Sequence, residues 1–265
     1  MCGIAGYSLS PDSPVNRTLA AQALLAGIAE RGADAVGYAY RAPGDGFSTV
    51  VKQRTPASML LERIQVPQDA TQALVHVRDY TKGHPSISAN NHPVRHGPVV
   101  GIHNGIIVND DEILACFECS RAEPRMTVDS EAIFALAAHS RADAGALEDL
   151  RGAMATAWLD ERAPDVLYAA RGVGRPLWLA LGQGATFFAS TKEALEVVER
   201  YARIKLRKQE VREGTFIAVR DGEVVRRERF QPDHGYVEAD PLPAVRAPQE
   251  AASCLERLAA LSAAA

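Results

Sequence analysis

The chain has 265 residues, 47% of them hydrophobic, and its 29 basic and 33 acidic side chains leave a formal net charge of −4. A chain of this size can bury a core without disulfide bonds. The balanced charge gives no overall attraction to nucleic acid or anionic lipid, and no apolar run reaches the ~20 residues that span a bilayer. We therefore expect a partner that is neither nucleic acid nor membrane. Without a signal-peptide pattern, we also expect a cytoplasmic protein.

The chain begins with Met1, and Cys2 follows directly. Removal of the methionine would place a thiol and a free α-amine on the same residue. A free α-amine titrates near ~8 and a thiol near ~8.5, so a proton passes between them at little cost, as in amino-terminal nucleophiles. A small apolar residue opening a buried strand is the alternative interpretation of Cys2.

Short or alternating apolar runs predict many strands and few helices. The predicted strands are Gly3 to Leu9, Val36 to Arg41, Phe47 to Lys52, Ala73 to Val77, Val99 to Val108, Ala153 to Leu159, Val166 to Ala170, Leu177 to Leu181, Thr186 to Ala189, Thr215 to Arg220 and Glu223 to Glu228. The predicted helices are Leu19 to Glu30, Asp129 to His139 and Lys192 to Tyr201. This content favours two packed sheets covered by helices, with a simpler α+β sheet as the alternative.

From Gln231 onward the sequence changes character. A polar stretch interrupted by four prolines is followed by the alanine-rich residues 251–265. We predict a Pro-rich linker and one C-terminal helix with an apolar stripe formed by Leu255, Leu258 and Leu261. The helix could dock on its own domain, fray, or bind a partner, and the sequence leaves these alternatives open.

Polar residues that could carry chemistry concentrate between His76 and Asn109, in the segments HVRDYTKG, NNHP and HNGIIVND. They follow strand-like runs directly, where a sheet can direct side chains into a cleft. The segment RGAD closes the first predicted helix. The segment TVDSE opens the second, with Asp129 as its candidate N-cap.

Six segments stand in the order of a known family: MCGIAGY, RGADAVG, HVRDYTKG, NNHP, HNGIIVN and VDSEAI. Together they resemble the glutaminase domain of class II glutamine amidotransferases, in particular that of the enzymes that make glucosamine phosphate. The resemblance covers about residues 1–230 and leaves 231–265 as the linker and helix. It implies an α+β fold, the four-layer αββα sandwich of amino-terminal-nucleophile hydrolases.

The resemblance also implies a set of catalytic residues. Cys2 would be the nucleophile, and Asn104 and Gly105 would donate hydrogen bonds to the oxyanion that forms on the amide substrate. The alternative for the Asn-Gly pair is a two-residue hairpin turn.

For substrate binding, the resemblance implies that Arg78 holds the α-carboxylate of glutamine, Asp129 its α-ammonium, and Thr81 a further contact. A surface ion pair is the alternative for Arg78, and a helix cap is the alternative for Asp129. The remaining motif residues are interpreted as structural supports of the cleft, and they are His76, Asn90, His92, Pro93 and His103.

The loop after Arg78 departs from the family pattern. Asp79 stands where an aromatic residue is usual, and Lys82 stands where a histidine is usual. Glutamine hydrolysis remains the favoured interpretation, but the way in which the cleft closes is left open.

Two rival sites are considered and set aside. A metal site is not predicted, because prolines and glycines break any helix through the histidine-rich segment that contains His84, His92, His96 and His103. Cys116 and Cys119 are interpreted as a pair of helix cysteines. No Gly-rich phosphate loop is present in the sequence, and no cofactor is predicted.

We therefore predict a glutamine amidotransferase subunit that hydrolyses L-glutamine to glutamate and ammonia through a thioester on Cys2. Roughly 35 residues beyond position 230 cannot hold a synthase domain, so the ammonia would pass to an acceptor site on another chain, a separate synthase or acceptor-site protein. A free-standing amidase for another γ-glutamyl or acyl amide and a non-catalytic subunit with this fold are the alternatives.

Overall fold

The structure, a computed structural model, describes residues 1–42, 44–239 and 243–264. Pro241 of the predicted linker and Ala265 at the end of the predicted helix lie outside these ranges. The strands are β1 (Gly3–Leu9), β2 (Ala35–Arg41), β3 (Thr49–Gln53), β4 (Gln72–Arg78), β5 (Val94–His96), β6 (Val99–Ile107), β7 (Gly152–Asp160), β8 (Val166–Arg171), β9 (Trp178–Gly182), β10 (Ala185–Ala189), β11 (Arg207–Glu210), β12 (Thr215–Arg220) and β13 (Glu223–Arg229). The α-helices are α1 (Arg17–Ile28), α2 (Ala57–Leu61), α3 (Asp110–Cys116), α4 (Glu131–Ser140), α5 (Lys192–Ala202) and α6 (Pro248–Ala264).

The described strands form two antiparallel sheets. The first has seven strands in the order β11-β9-β10-β1-β4-β2-β3, and the second has six in the order β13-β12-β8-β7-β6-β5. In the first sheet, β1 lies between β4 and β10, with Ala5 opposite Val75 on one side and Ala189 on the other. The start of β1, which follows Cys2, therefore lies in the middle of a sheet.

The sheets pack face to face and each is covered by helices. Along β1, Ile4 faces the apolar layer between the sheets, whereas Ala5, Tyr7 and Leu9 face the helices, because successive side chains of a strand point to opposite faces. Helices α1 and α5 cover the first sheet, and α4 covers the second. The predicted four-layer αββα arrangement of the α+β class is confirmed. None of the described helices is long and apolar enough to cross a membrane.

Helix α1 is apolar around most of its circumference, and it is buried between the first sheet and three other helices, α2, α5 and α6. The Asn16 side chain caps its start by accepting a hydrogen bond from the Leu19 amide, at 2.9 Å. At Gly27 the helix passes so close to α5 that a Cβ atom would lie 2.6 Å from the Cα of Ala194. A glycine is required at this crossing for steric reasons alone.

The predicted strands are found, but the short strand β5 and the short helix α2 have no counterpart in the predictions. The interpretation of Cys116 and Cys119 as helix cysteines is wrong for the second residue. Cys116 ends α3, and the backbone then turns through a left-handed conformation at Glu118, so Cys119 lies outside the helix.

Helix α6 packs against α1 and α2 of its own chain. Its buried side chains are Cys254 and Leu258, with Leu261 partly buried, at the i, i+4, i+7 spacing of one helix face. Leu255, which we had placed on the apolar stripe, is 37% exposed. Of the three alternatives for this helix, the structure has the docked one.

This packing yields a test of stability. Leu258→Ala should lower the free energy of unfolding by about 2 to 4 kcal/mol, because it opens a cavity under α6. Leu255→Ala, on the exposed side of the same helix, should change it by less than about 0.5 kcal/mol. Urea denaturation of both variants measures the difference, and equal effects would mean that α6 does not dock through Leu258.

Candidate active site

Cys2 is half-buried at the entrance to β1. Its carbonyl oxygen accepts a hydrogen bond of 3.0 Å from Nε of the buried Arg31, and its thiol donates to the carbonyl oxygen of Asp79 at 3.3 Å. Burial raises the pKa of the Cys2 thiol. The ammonium of Met1, which still precedes Cys2 here, forms an ion pair with the Asp79 carboxylate.

Asn104 and Gly105 lie within β6, opposite Ala155 and Met154 of β7. The hairpin alternative for this pair is therefore wrong, because the chain runs straight on to the end of the strand. Gly105 has a φ of +146°, and a Cβ atom there would overlap the carbonyl oxygen of Ala153, so only glycine fits.

The Asn104 side chain is fully buried, and neither its nitrogen nor its oxygen has a hydrogen-bond partner among the described residues. Buried amides are normally paired, and an unpaired one calls for an explanation. A side chain in this state can offer an N–H to an incoming group without first breaking a hydrogen bond within the protein.

Asp129 is buried next to β6. One of its carboxylate oxygens accepts a hydrogen bond of 2.7 Å from the Ile107 amide, and burial raises the pKa of the carboxyl group to about 6. The prediction that Asp129 caps α4 is wrong, because the N-cap residue is Ser130, which makes no side-chain cap bond. The end of β6 takes the Asp129 side chain instead.

Arg78 ends β4 and is only 1% exposed, so the surface ion pair considered from the sequence is wrong. Its guanidinium lies within the loop that follows. One terminal nitrogen donates to the Asn90 carbonyl oxygen and, at 2.7 Å, to the Asn91 side chain. The other donates to the carbonyl oxygens of Lys82, at 3.0 Å, and Gly83. Its Nε has no partner among the described residues.

One small cavity brings most of the predicted site residues together. The predicted residues on its wall are Cys2, Arg78, Thr81, Gly105 and Asp129. Asn104 is the immediate neighbour of Gly105. The cavity has a volume of about 10 Å³, which is the space of a single water molecule at most. Tyr80, Thr81 and Lys82, which also line it, close it on one side.

Two further contacts hold this loop, residues 79–83, in place. The Tyr80 amide donates to the Asp34 carboxylate at 2.9 Å, and the Lys82 ammonium reaches both carboxylate oxygens of the buried Asp110 at 2.6 and 2.8 Å. Asp110 is held in turn by Arg121 at 2.9 Å. The unusual Lys82 therefore fastens the loop to the start of α3.

Three buried histidines brace the cleft. The rings of His76 and His92 are stacked, with their centroids 4.2 Å apart. A ring nitrogen of His76 lies 3.1 Å from the His103 carbonyl oxygen. His103 is paired with Ser130 at 2.9 Å. Burial lowers the pKa of His76 and of His103 to about 3, so both rings are neutral near pH 7.

Asn90 joins the two halves of the site. Its side-chain oxygen accepts from the Thr127 and Val128 amides at 2.7 and 3.1 Å, and its nitrogen donates to the His84 carbonyl oxygen at 3.2 Å. The segment that leads to Asp129 is thereby tied to the loop around Arg78. These contacts are those of a structural support.

Three contributors to the site were not predicted: Arg31, Asp110 and Ser130. All three lie inside segments singled out from the sequence, RGADAVG, HNGIIVND and VDSEAI, but none of them was assigned a role there. The histidines of the rival metal site do not converge, since His96 pairs with Glu131 at 3.0 Å and His84 with Ser86 at 2.7 Å. Within the described residues, no group of three or more potential ligands could hold a metal ion.

Two antiparallel sheets between helical layers, with a cysteine just before a central strand, are the arrangement of the amino-terminal-nucleophile hydrolase fold. The glutamine phosphoribosylpyrophosphate amidotransferase from B. subtilis has a similar fold, with a TM-score of 0.67 and 20% sequence identity over 86% of this chain and 49% of that one. Residues 76–197 match the family described as glutamine amidotransferase domain. The chain belongs to the class II glutamine amidotransferases, whose enzymes typically carry this N-terminal cysteine.

Two curated relatives support this assignment. A glutamine–fructose-6-phosphate aminotransferase from Salmonella typhi is 33% identical over 212 residues, which are 76% of this chain and 33% of the relative. Its namesake from Thermus thermophilus is 33% identical over 248 residues, covering 88% of this chain and 39% of the relative. The chain therefore spans little more than a third of the length of these relatives.

The buried Asp129 makes stability depend on pH in a testable way. Its carboxyl group has an ordinary pKa of 3.8 in the unfolded chain, and burial raises this to about 6 in the folded protein. At pH values between these two pKa values, the folded state binds more protons than the unfolded chain. The free energy of unfolding therefore falls as the pH rises through that window. Asp129→Asn removes the ionisation and keeps an acceptor for the Ile107 amide.

We expect Asp129→Asn to raise the free energy of unfolding at pH 7 by on the order of 1 to 3 kcal/mol, and to leave it unchanged below pH ~4. Denaturant unfolding at a series of pH values measures this. An equal gain at acid and neutral pH would show that ionisation of Asp129 is not its source.

Proposed function

We propose that this chain hydrolyses L-glutamine to glutamate and ammonia. The Cys2 thiolate, formed by proton transfer to its own α-amine once Met1 is removed, attacks the side-chain carbonyl carbon of glutamine. The C–N bond then breaks, and the amine returns its proton to the departing ammonia. Water hydrolyses the γ-glutamyl thioester, which releases glutamate and restores the thiol.

The unpaired Asn104 amide is the observation that carries this proposal. Attack on a carboxamide places negative charge on its oxygen, which needs donors fixed in advance. The Asn104 nitrogen and the Gly105 backbone N–H are the proposed donors. Burying an unpaired amide lowers the stability of the free protein. The unpaired Asn104 nitrogen is explained if it donates to the substrate oxygen during the reaction.

The two ends of free glutamine explain the two buried charges. We propose that Asp129 binds the α-ammonium and Arg78 the α-carboxylate, with Thr81 as a further contact. The guanidinium of Arg78 is occupied by the carbonyl oxygens of Lys82 and Gly83, and the cavity holds no more than one water. Residues 79–83 must therefore move aside before glutamine enters, and the substrate carboxylate replaces the loop carbonyls.

We propose that residues 1–230 form the glutaminase domain and that its ammonia passes to an acceptor site outside them. The names of the curated relatives, which are aminotransferases, support a transfer step. A separate synthase or acceptor-site protein is the proposed partner. We also propose a cytoplasmic location, because a catalytic thiol requires a reducing compartment.

The nucleophile can be tested directly. Purified protein should begin at Cys2 by intact mass, and Cys2→Ala should abolish glutamine hydrolysis while leaving thermal unfolding nearly unchanged. Cys116→Ala, at an exposed cysteine, is the matched control and should keep full activity. Full-rate hydrolysis by protein that keeps Met1 would contradict the amino-terminal mechanism.

Arg78 can be tested by changing the substrate as well as the protein. Arg78→Lys keeps the charge but loses the fork of donors, so kcat/KM for glutamine should fall by roughly 10- to 100-fold, or about 1.4 to 2.8 kcal/mol. Glutaminamide lacks the α-carboxylate and should be affected much less. An equal loss for both substrates would assign Arg78 a structural role only.

The same assays separate the alternatives. A free-standing amidase would accept other γ-glutamyl amides without a preference for the free amino acid, and a non-catalytic subunit would keep Met1 and hydrolyse nothing. Faster glutamine hydrolysis when a co-purifying synthase is added would support the transfer of ammonia to a partner.

A further inference from the structure

Asp79 lies next to the nucleophile and is itself nearly buried, at 8% exposure. Its backbone oxygen accepts the Cys2 thiol, and its carboxylate binds the ammonium at the start of the chain. Removal of Met1 moves that ammonium by one residue, onto Cys2. Cys2 is adjacent to Met1 and its thiol contacts the backbone oxygen of Asp79, so we place the new ammonium near the Asp79 carboxylate.

The second oxygen of the same carboxylate faces the C-terminal segment. Arg246 Nε lies 3.4 Å from it, and the amides of Arg246 and Ala247 both donate to the Glu30 carbonyl oxygen at 2.8 Å. Glu30 precedes Arg31, which holds the Cys2 carbonyl oxygen. The segment just before α6 is therefore fastened to the elements that position Cys2.

We propose that Asp79 and Arg246 are a pair of positioning residues that set the basicity of the Cys2 α-amine. This inference rests on the proposed function, in which that amine is the base. The carboxylate favours the ammonium form, and Arg246, bound to the same carboxylate, weakens that preference. The C-terminal segment thus acts on the chemistry through Asp79 without touching the substrate.

Other charged groups near Cys2 are the same in the wild type and in all of the variants below. Arg31 and Arg78 lie close to Cys2, and Glu30 lies close to Arg31. Replacing Asp79 or Arg246 by a neutral side chain of similar shape therefore isolates the two charges that the proposal concerns.

The proposal predicts shifts of opposite sign. The acidic limb of the pH profile of kcat/KM reports protonation of the base in the free enzyme. Asp79→Asn should move its midpoint to lower pH by about 0.5 to 1 unit, and Arg246→Gln should move it to higher pH by about 0.3 to 0.5 unit. The double variant should lie between the two single variants, because Arg246 also acts on the amine through its own charge.

Arg257→Gln is the matched control. Arg257 lies on α6 and pairs with the exposed Glu62 at 2.5 Å, so its loss removes a C-terminal arginine without affecting Asp79. It should leave the midpoint unchanged. Raised ionic strength should reduce the Arg246→Gln shift, since Arg246 is 43% exposed.

A second measurement does not depend on turnover. Competitive acylation of the terminal amine as a function of pH, followed by mass spectrometry of protein that begins at Cys2, measures titration of that amine directly. The same opposite shifts are expected. If the wild type hydrolyses no glutamine, the proposed function fails, yet acylation still decides the role of the pair. Shifts of the same sign, or no shift, would overturn the inference.

Discussion

Two buried charges of opposite sign, Arg78 and Asp129, line one small cavity without an ion pair between them in the described structure. Burying a charge is costly unless other groups compensate for it. Loop carbonyls and the Asn91 side chain compensate Arg78, and a strand amide together with a raised pKa compensates Asp129. The separation of the charges suits a zwitterionic ligand, which can satisfy both at once.

The same compensation explains why the site is closed. The loop that follows Arg78 serves as its hydrogen-bond partner. In the proposed function, the loop and the substrate carboxylate would compete for this one guanidinium. Lys82 also forms an ion pair with Asp110. For the loop to open, this ion pair must break or Asp110 must move with the loop. The two departures from the family pattern thus have separate effects: Lys82 acts on closure of the loop, and Asp79 acts on the chain terminus.

Much of the architecture was predictable, because the alternation of apolar residues along a strand and the family segments can both be recognised in short stretches of sequence. The predicted bounds of β1 and β6, the strands next to Cys2 and around Asn104, agree with the structure to within one residue. The large number of predicted strands favoured two packed sheets. The short strand β5 and the short helix α2 were not predicted, since three to five residues carry too little periodicity. The position of Asn104 within β6 excludes the hairpin turn, and only tertiary structure fixes that position.

The other wrong predictions concern which contacts a side chain makes. Asp129 has the sequence signature of a helix cap, yet its carboxylate accepts a hydrogen bond from the Ile107 amide at the end of β6. That buried amide needs an acceptor. Leu255 fits an apolar stripe, but the face of α6 that meets α1 is rotated toward Cys254. Asp110 lies at the end of the segment HNGIIVND, but its pairing with Lys82 and Arg121 depends on tertiary structure and could not be predicted.

The central position of β1 has a consequence for biosynthesis. Its neighbour β10 pairs Ala189 with Ala5, so the strand that follows Cys2 cannot be completed until nearly 190 residues have been made. At ribosomal rates this takes roughly 10 to 40 s. During that time the chain terminus is not yet bound against Asp79, as it is in the folded protein. If Met1 is removed as proposed, the topology of the sheet leaves this interval for its removal.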